Sequence, residues 1–155
     1  MVSVAVSSLG RTDLILIEPG VKVNGQYYHD VILWQQMLPA ICSMSGDVFT
    51  FQQDNAPSHR ARETVELLAQ ETPDFIRPSQ WPANSPDLNP VDYAIWGKLQ
   101  DRVYRCRIHD LDQLKHRLIE EWNDFSQHII NEAEAHWRRL QACVHARGGH
   151  FEHRL

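Results

Sequence analysis

Two strand patterns joined by a short turn open the chain, and strand and helix patterns alternate after them. Residues 2–8 alternate valine with small side chains, and residues 13–18 form an apolar run that ends at Pro19-Gly20. This periodicity, with turn residues at 9–12, predicts a β-hairpin. The alternation that follows predicts an α/β fold in which a mixed sheet is flanked by helices.

The later elements are predicted from apolar spacing and from residues that break helices and strands. Asn89-Pro90 is typical of a helix start, with asparagine as the cap and proline in the first turn. Residues 26–41 predict a helix whose apolar stripe contains Tyr27, Val31, Trp34 and Leu38 and which ends near Pro39. The remaining patterns predict strands at 47–53 and 74–77, and helices at 58–71, from 89 to about 104, at 111–125 and at 129–144.

A chain of 155 residues is predicted to form one domain, without a membrane-spanning segment or a signal peptide. We divide it into a core over residues 1–108, a helical extension of the same domain over 109–146 and a flexible tail over 147–155. Three widely spaced cysteines favour reduced thiols over a disulfide framework.

Two acidic residues have positions that favour metal chemistry. Asp54 follows the predicted strand 47–53, and ligand sites in α/β sheets gather at the carboxyl ends of strands. Asp92 lies in the first turn of the helix that begins at Asn89. Carboxylates that converge from two elements suit Mg²⁺ or Mn²⁺, and paired ions of this kind activate an oxygen nucleophile against a phosphodiester.

Structural roles are an alternative for both residues. Asp54 precedes Asn55-Ala56-Pro57 and could only close a turn. Asp92 stands three residues after the Asn89 cap, where an acid favours the helix dipole. Either carboxylate could also do both jobs.

Two sequence blocks resemble the paired signatures of mariner-type transposases, members of the DDE/D superfamily. These blocks are FQQDNAPSH at 51–59 and WPANSPDLNPVDYAIW at 81–96, and the similarity extends over about residues 2–125. The resemblance implies a ribonuclease H-like fold. It also implies that Asp54 and Asp92 are the second and third catalytic carboxylates and bind Mg²⁺ or Mn²⁺, with Asn55 and His59 as candidates for positioning phosphate or water.

Two departures from the family pattern concern the catalytic carboxylates. The third one is Asp92, where many relatives carry glutamate, and 37 residues separate it from Asp54. This spacing is longer than the commonest one and resembles a branch that has aspartate in third place. The family's first catalytic aspartate lies on a core strand upstream of this hairpin, so we expect that strand to be missing, and this chain alone to have little or no cleavage activity.

The resemblance implies metal-dependent cleavage and strand transfer at transposon ends, with DNA as partner, a homodimer as a further expectation, and the nucleus as location. A net charge of −5 argues mildly against strong DNA binding by this segment alone. Arg102, Arg105 and Arg107 form a local basic cluster that is either a DNA contact or a solvated face. The competing hypothesis is a non-catalytic DNA-binding or protein-interaction module derived from a transposase.

Overall fold

The structure is a computed structural model that describes residues 1–82 and 88–135. Within these ranges the chain forms six short strands and five helices. The strands are β1 (Val2–Ser3), β2 (Val6–Ser7), β3 (Gly10–Arg11), β4 (Ile15–Leu16), β5 (Thr50–Phe51) and β6 (Asp74–Phe75). The helices are α1 (25–45), α2 (Arg62–Glu71), α3 (91–103), α4 (Leu111–Asn123) and α5 (Gln127–Ala135). None of these described helices is long and apolar enough to cross a membrane.

The predicted hairpin is confirmed. β1 pairs antiparallel with β4, and β2 pairs antiparallel with β3. Ser3 is opposite Ile15 while Val6 is opposite Arg11, so the second strand carries one extra residue between these pairs. Such a bulge increases the local twist of the hairpin. The turn is shorter than predicted, because Gly10 already pairs in β3, with a φ of 155° that favours glycine.

β5 and β6 form a parallel pair, with Thr50 opposite Asp74, and α2 is the crossover between them. Both strands were predicted, at greater length. The predicted start of α2 at residue 58 was wrong, since the helix begins at Arg62. Residues before it form a separate turn, in which the amides of His59 and Arg60 both donate to the Ala56 carbonyl.

The first helix differs from its prediction in length and in buried face. Residues Tyr28–Met37 are π-helical, between α-helical segments at Gly25–Tyr27 and Leu38–Ser45. Hydrogen bonds to the fifth residue put more than four residues in each turn, which rotates the face that packs inward. Leu33 is therefore fully buried and Trp34 is 51% exposed, so the prediction of Trp34 on the apolar stripe was wrong.

The predicted end of α1 near Pro39 was also wrong, because the helix continues to Ser45. Pro39 lies in the first turn of the α-helical segment that follows the π-helical one. Proline is tolerated in a first turn, where its missing N–H removes no α-helical hydrogen bond.

The C-terminal elements begin with caps. Asn89 Oδ1 accepts a hydrogen bond from the Val91 amide at 3.2 Å, and Asp110 caps α4 by accepting from the Gln113 amide at 2.8 Å. The helices predicted at 89–104 and 111–125 are confirmed within a few residues. The last helix is described to residue 135; the rest of the prediction for 129–144, and the tail 147–155, lie outside the described residues.

Two apolar clusters pack on the two faces of the hairpin. On one face, Ile15 and Ile17 join the buried side of α1 together with Phe51 and Phe75. On the other face, Val4 packs against residues of α3, α4 and α5, namely Ile95, Leu99, Val103, Trp122 and Ile130, and against Phe125. The hairpin is therefore the middle layer between α1 and the later helices.

Candidate active site

A cavity of about 710 Å³ lies between the hairpin, α1, β5 and the start of α3. Its walls include Asp54 and His59 from the segment after β5, Asp92 from the start of α3, and Glu134 near the end of α5. The fold therefore brings three of the predicted site residues to one concave surface, the usual setting for a ligand site.

Asp54 is held by a turn just beyond β5. Its Oδ1 accepts hydrogen bonds from the Ala56 amide at 2.9 Å and from His59 Nδ1 at 2.5 Å. The turn-closing role considered for this residue is thus confirmed. No described residue donates a hydrogen bond to Oδ2, and the side chain is 37% exposed, so one oxygen remains available for a ligand.

A network of buried groups fixes the orientation of His59. Its ring lies against the ring of Tyr28, with centroids 4.4 Å apart. The Tyr28 hydroxyl donates to Gln53 Oε1 at 2.7 Å, and Gln53 Nε2 donates to the His59 carbonyl at 3.1 Å. Burial, and next the negative charge of Asp54, raise the pKa of Tyr28 above its usual range, so its hydroxyl remains a donor.

Asp92 faces the same cavity from the first turn of α3. Its Oδ2 accepts a hydrogen bond from Asn89 Nδ2 at 2.9 Å, so it takes part in the helix start, as one sequence interpretation predicted. Burial raises the pKa of Asp92, and the charge of Asp54 raises it further, while Asn89 and His59 oppose the rise. Asp54 and Asp92 are thus close enough to repel each other.

Asn55 has a different position from its neighbour Asp54. Its Nδ2 donates to the carbonyls of Pro78 at 3.0 Å and Trp81 at 3.3 Å, which fastens the loop after β6. Asn55 does not line the cavity, and its buried Oδ1 has no hydrogen-bond partner among the residues that the structure describes. The structure shows a loop-fastening role, and phosphate or water positioning by Asn55 stays a prediction.

The basic cluster lies outside the cavity. Arg102 is half-buried, donates to the Asp124 carbonyl at 3.2 Å and stacks 5.2 Å from the Phe125 ring centroid. Arg105 and Arg107 are exposed. The guanidinium of Arg102 therefore has a structural use, while the side chains of Arg105 and Arg107 lie exposed at the surface.

Three cavity residues were not predicted from the sequence. Tyr28 and Gln53 orient His59. Burial raises the pKa of Glu134, and a hydrogen bond from the Ser8 amide to its carboxylate opposes that rise. Gln53 directly precedes Asp54 in the sequence, and this adjacency was a signal that could have identified it as a site residue. Tyr28 and Glu134 reach the site only through tertiary packing, and no local pattern marks them.

The donor set suits a hard divalent cation. Asp92 Oδ1, like Asp54 Oδ2, has no hydrogen-bond donor among the described residues. Within residues 1–82 and 88–135, no group of three or more acidic, histidine or cysteine side chains is arranged to hold a metal ion. The described part of the site thus presents two carboxylates, each with one oxygen that accepts no hydrogen bond from a described residue.

Comparison with known proteins identifies relatives of this chain. It is 29% identical over 128 residues to the Tcb2 transposase of Caenorhabditis briggsae, and this alignment covers 82% of the present chain and 45% of the relative. It is 27% identical over 128 residues to the Tc1 transposase of Caenorhabditis elegans, with the same coverage. The chain thus spans about half the length of these curated relatives. No family model matches the chain.

Solved structures of one transposase share this fold. The catalytic domain of the Mos1 mariner transposase matches 97% of this chain and 75% of that chain, with a TM-score of 0.77 at 23% identity. The Mos1 strand transfer complex matches 97% of this chain and 43% of that chain, with a TM-score of 0.76 at 25% identity. The same Mos1 domain has also been solved with Mn, with a TM-score of 0.73 at 23% identity, and with Mg, with a TM-score of 0.72 at 24% identity. Each of these two matches covers 97% of this chain and 76% of the Mos1 chain. The chain is homologous to Tc1/mariner transposases, and its mixed α/β fold matches the Mos1 catalytic domain.

Proposed function

We propose that this homologue of Tc1/mariner transposases is part of a DDE/D-type catalytic domain. Its chemistry would be metal-dependent DNA strand cleavage and strand transfer at transposon ends. One observation carries the proposal: Asp54 and Asp92 have 37 residues between them in the sequence, and yet they face one cavity and interact electrostatically. A carboxylate whose pKa is raised in a cleft, as that of Asp92 is, is typical of catalytic sites.

The fold belongs, in this proposal, to the ribonuclease H-like class. Support comes from an antiparallel hairpin, a parallel strand pair joined by a helical crossover, and helices on both faces of the hairpin. The proposed core covers residues 1–108, and the proposed helical extension covers 109–146, of which the structure describes 109–135. The docking of Trp122 on the hairpin, through a 2.8 Å hydrogen bond from Nε1 to the Thr12 carbonyl, favours one domain.

The proposed cofactor is Mg²⁺ or Mn²⁺, held by the free oxygens of Asp54 and Asp92. Such ions, when bound in pairs, stabilise the attacking and leaving oxygens of a phosphodiester. Asp54 can hold a cation in a fixed direction because Ala56 and His59 bind its other oxygen. Asn89 fixes Asp92 in the same way.

His59 is proposed to act on the reaction through Asp54. Its Nδ1 proton is used in the hydrogen bond to Asp54 Oδ1, and its ring is packed on Tyr28. This leaves Nε2 as the one ring nitrogen that could meet a phosphate oxygen or a water. We therefore assign His59 a positioning role first, with Nε2 as the candidate polar contact.

DNA is the proposed partner, as transposon ends and as target, and the nucleus is the proposed location. Exposed Arg105 and Arg107 are the side chains of the cluster that are free to contact phosphates. A homodimer is proposed as the assembled form. Complexes of Mos1 with transposon ends lend support, since they share this fold.

A titration with Mn²⁺, followed by electron paramagnetic resonance of the free ion, tests the metal proposal. Asp54→Asn and Asp92→Asn should each weaken Mn²⁺ affinity at least tenfold, because each removes one charged ligand. Asp101→Asn is the matched control, since it removes an exposed acidic charge from α3 and should leave the affinity unchanged. Equal affinity in all four proteins would contradict the proposal.

Cleavage by the 155-residue chain alone should be weak or absent. The described residues provide two carboxylates and no three-residue metal group, so cation occupancy and alignment would be poor. A nicking assay with Mn²⁺ on plasmid DNA checks this. Robust cleavage that Asp54→Ala abolishes would overturn the expectation.

A non-catalytic DNA-binding or protein-interaction module is the second candidate. The same lack of a three-residue metal group among the described residues favours it. The two candidates separate in the Mn²⁺ titration, because an interaction module has no need for an affinity that depends on Asp54 and Asp92 together.

A further inference from the structure

Two side-chain amides lie on either side of Asp54 in the sequence and tie it to a distant part of the chain. They belong to Gln52 and Asn55, which we call the amide pair. Each donates hydrogen bonds to backbone carbonyls in the connection between β6 and α3. This is the connection that leads to Asp92.

The two members of the amide pair hold opposite ends of this connection. Asn55 Nδ2 donates to the carbonyls of Pro78 at 3.0 Å and Trp81 at 3.3 Å, near the end of β6. Gln52 Nε2 donates to the Leu88 carbonyl at 3.3 Å, near the start of α3. Both ends are thus fastened to the short segment that follows β5.

The bond from Gln52 leads to Asp92 through two residues. Leu88 precedes Asn89, whose side chain caps α3 and donates to Asp92 Oδ2 at 2.9 Å. Asn89 and Asp92 line the same cavity as Gln52. A shift of Leu88 away from Gln52 would therefore move the cap, and the carboxylate that the cap holds, relative to Asp54.

Apolar packing places the two carboxylates in different parts of the core. β5 contributes Phe51 to the cluster on one face of the hairpin. α3 contributes Ile95 and Leu99 to the cluster on the other face. The hydrogen bonds of the amide pair connect β5 with the start of α3 directly, whereas the two apolar clusters connect these elements through the hairpin.

The chemistry of the amide pair suits a site for a cation. An amide donates hydrogen bonds without carrying charge. A lysine in its place would fasten the same carbonyls, but its positive charge would oppose the binding of a divalent ion. Asn55 keeps its place although its buried Oδ1 has no hydrogen-bond partner among the described residues, which costs free energy.

We infer that Gln52 and Asn55 are positioning residues that fix the separation of Asp54 and Asp92. The inference rests on the proposed function, in which these two carboxylates share a cation. Cation ligands work best when neighbouring groups hold them in place before the ion arrives, and the amide pair provides this support across two elements.

Uncharged variants of similar size test the inference. Gln52→Met and Asn55→Leu remove the donors and add no charge. Gln35→Met and Asn123→Leu are the matched controls, since they remove exposed amides from α1 and from the end of α4. Gln52→Met leaves the turn at Asp54 intact, so this variant carries the test if Asn55→Leu does not fold.

Hydrogen exchange without metal gives the first readout. The amides of Asp92 and Tyr93 both donate to the Asn89 carbonyl at the start of α3. Because one hydrogen bond changes a local opening equilibrium by about tenfold, Gln52→Met should speed the exchange of these two amides about tenfold. Exchange at the rate found in Gln35→Met would overturn the inference.

The affinity for Mn²⁺ separates positioning from a merely structural role. Asp92→Asn should weaken binding about tenfold in the parent, but less than about threefold when it is added to Gln52→Met or Asn55→Leu, because the displaced carboxylate no longer reaches the ion. A full tenfold loss in both backgrounds would show that the amides hold the backbone without placing Asp92, and would overturn the inference.

Failure of the metal proposal gives a different result. If the parent chain binds no Mn²⁺, the proposed cofactor is wrong. Faster exchange of the Asp92 and Tyr93 amides in Gln52→Met, and not in Gln35→Met, would then still support the positioning of α3 by the amide pair.

Discussion

At the scale of single residues, the candidate site depends on how two carboxylates are oriented. Asp54 and Asp92 each use one oxygen in a local hydrogen bond, Asp54 from the Ala56 amide and Asp92 from the Asn89 side chain. The structural and functional interpretations of these residues are therefore compatible, because the local bond fixes the direction of the second oxygen. His59 completes this orientation for Asp54.

His59→Ala tests the positioning role of the histidine. We expect Mn²⁺ affinity to fall about tenfold, in the range observed when groups that orient metal ligands are removed. His59→Gln should recover part of the affinity, since its amide can donate to Asp54. A merely structural histidine would lower the melting temperature in both variants without separating their Mn²⁺ affinities.

Asp92→Asn tests the cost of holding a charged carboxylate at this position, which burial and then the charge of Asp54 raise in the folded protein. Because burial and Asp54 raise the pKa of Asp92 in the folded protein, the folded state binds its proton more tightly than the unfolded state does. Stability is thus lost as pH rises through the window from the ordinary aspartate pKa to the raised one. Without divalent metal, the variant should be more stable than the parent at neutral pH, by less than about 1 kcal/mol because the group is partly solvated.

Urea unfolding at several pH values measures this difference. The advantage of Asp92→Asn should vanish at pH values below the ordinary aspartate pKa, where both proteins are neutral at this position. An advantage that is the same at pH 3 and pH 7 would show that the charge of Asp92 is not its cause.

At the scale of elements, the π-helical segment of α1 decides which side chains enter the core. Leu33 is fully buried and the adjacent Trp34 is half exposed, opposite to the expectation from α-helical spacing. Leu33→Ala should lower the free energy of unfolding by about 2–5 kcal/mol through loss of burial and creation of a cavity.

The neighbouring Trp34→Ala serves as the comparison. It should cost less than about 1 kcal/mol, as expected for a residue on the solvent side. Urea denaturation of both variants provides the measurement, and a larger loss for Trp34→Ala would contradict the assigned helical face.

Sequence patterns predict those elements whose signals are local. Valine alternation at 2–8, the Asn89 cap and the strands around Phe51 and Phe75 are all short-range features, and the structure confirms them. The rotation of α1 was not predictable in this way, because α-helical and π-helical residues share the same composition. The network of Tyr28 and Gln53 was missed because it forms only when α1 packs beside β5.

At the scale of the whole molecule, the C-terminal helices are joined to the hairpin by polar as well as apolar contacts. Trp122 donates to the Thr12 carbonyl, Gln127 donates to the Ser7 carbonyl at 2.7 Å, and Arg11 donates to the Asn123 carbonyl at 2.9 Å. These contacts span more than 100 residues of sequence. We therefore expect the described regions to unfold together.

Trp122→Ala tests this coupling. Removal of a buried tryptophan should cost about 3–5 kcal/mol. The shift should be the same whether unfolding is followed by far-ultraviolet circular dichroism or by the fluorescence of the remaining tryptophans, since one cooperative unit gives coincident transitions. Separate transitions would show that residues 109–135 form an independent unit.

The convergence of Asp54 and Asp92 on one cation is the central claim, and an anomalous-difference map from a crystal soaked with Mn²⁺ tests it most directly. The account predicts a peak within about 2–2.5 Å of one oxygen from each carboxylate, the range of oxygen ligands to such cations. A peak that contacts neither residue, or carboxylates that point to opposite sides of the molecule, would contradict it.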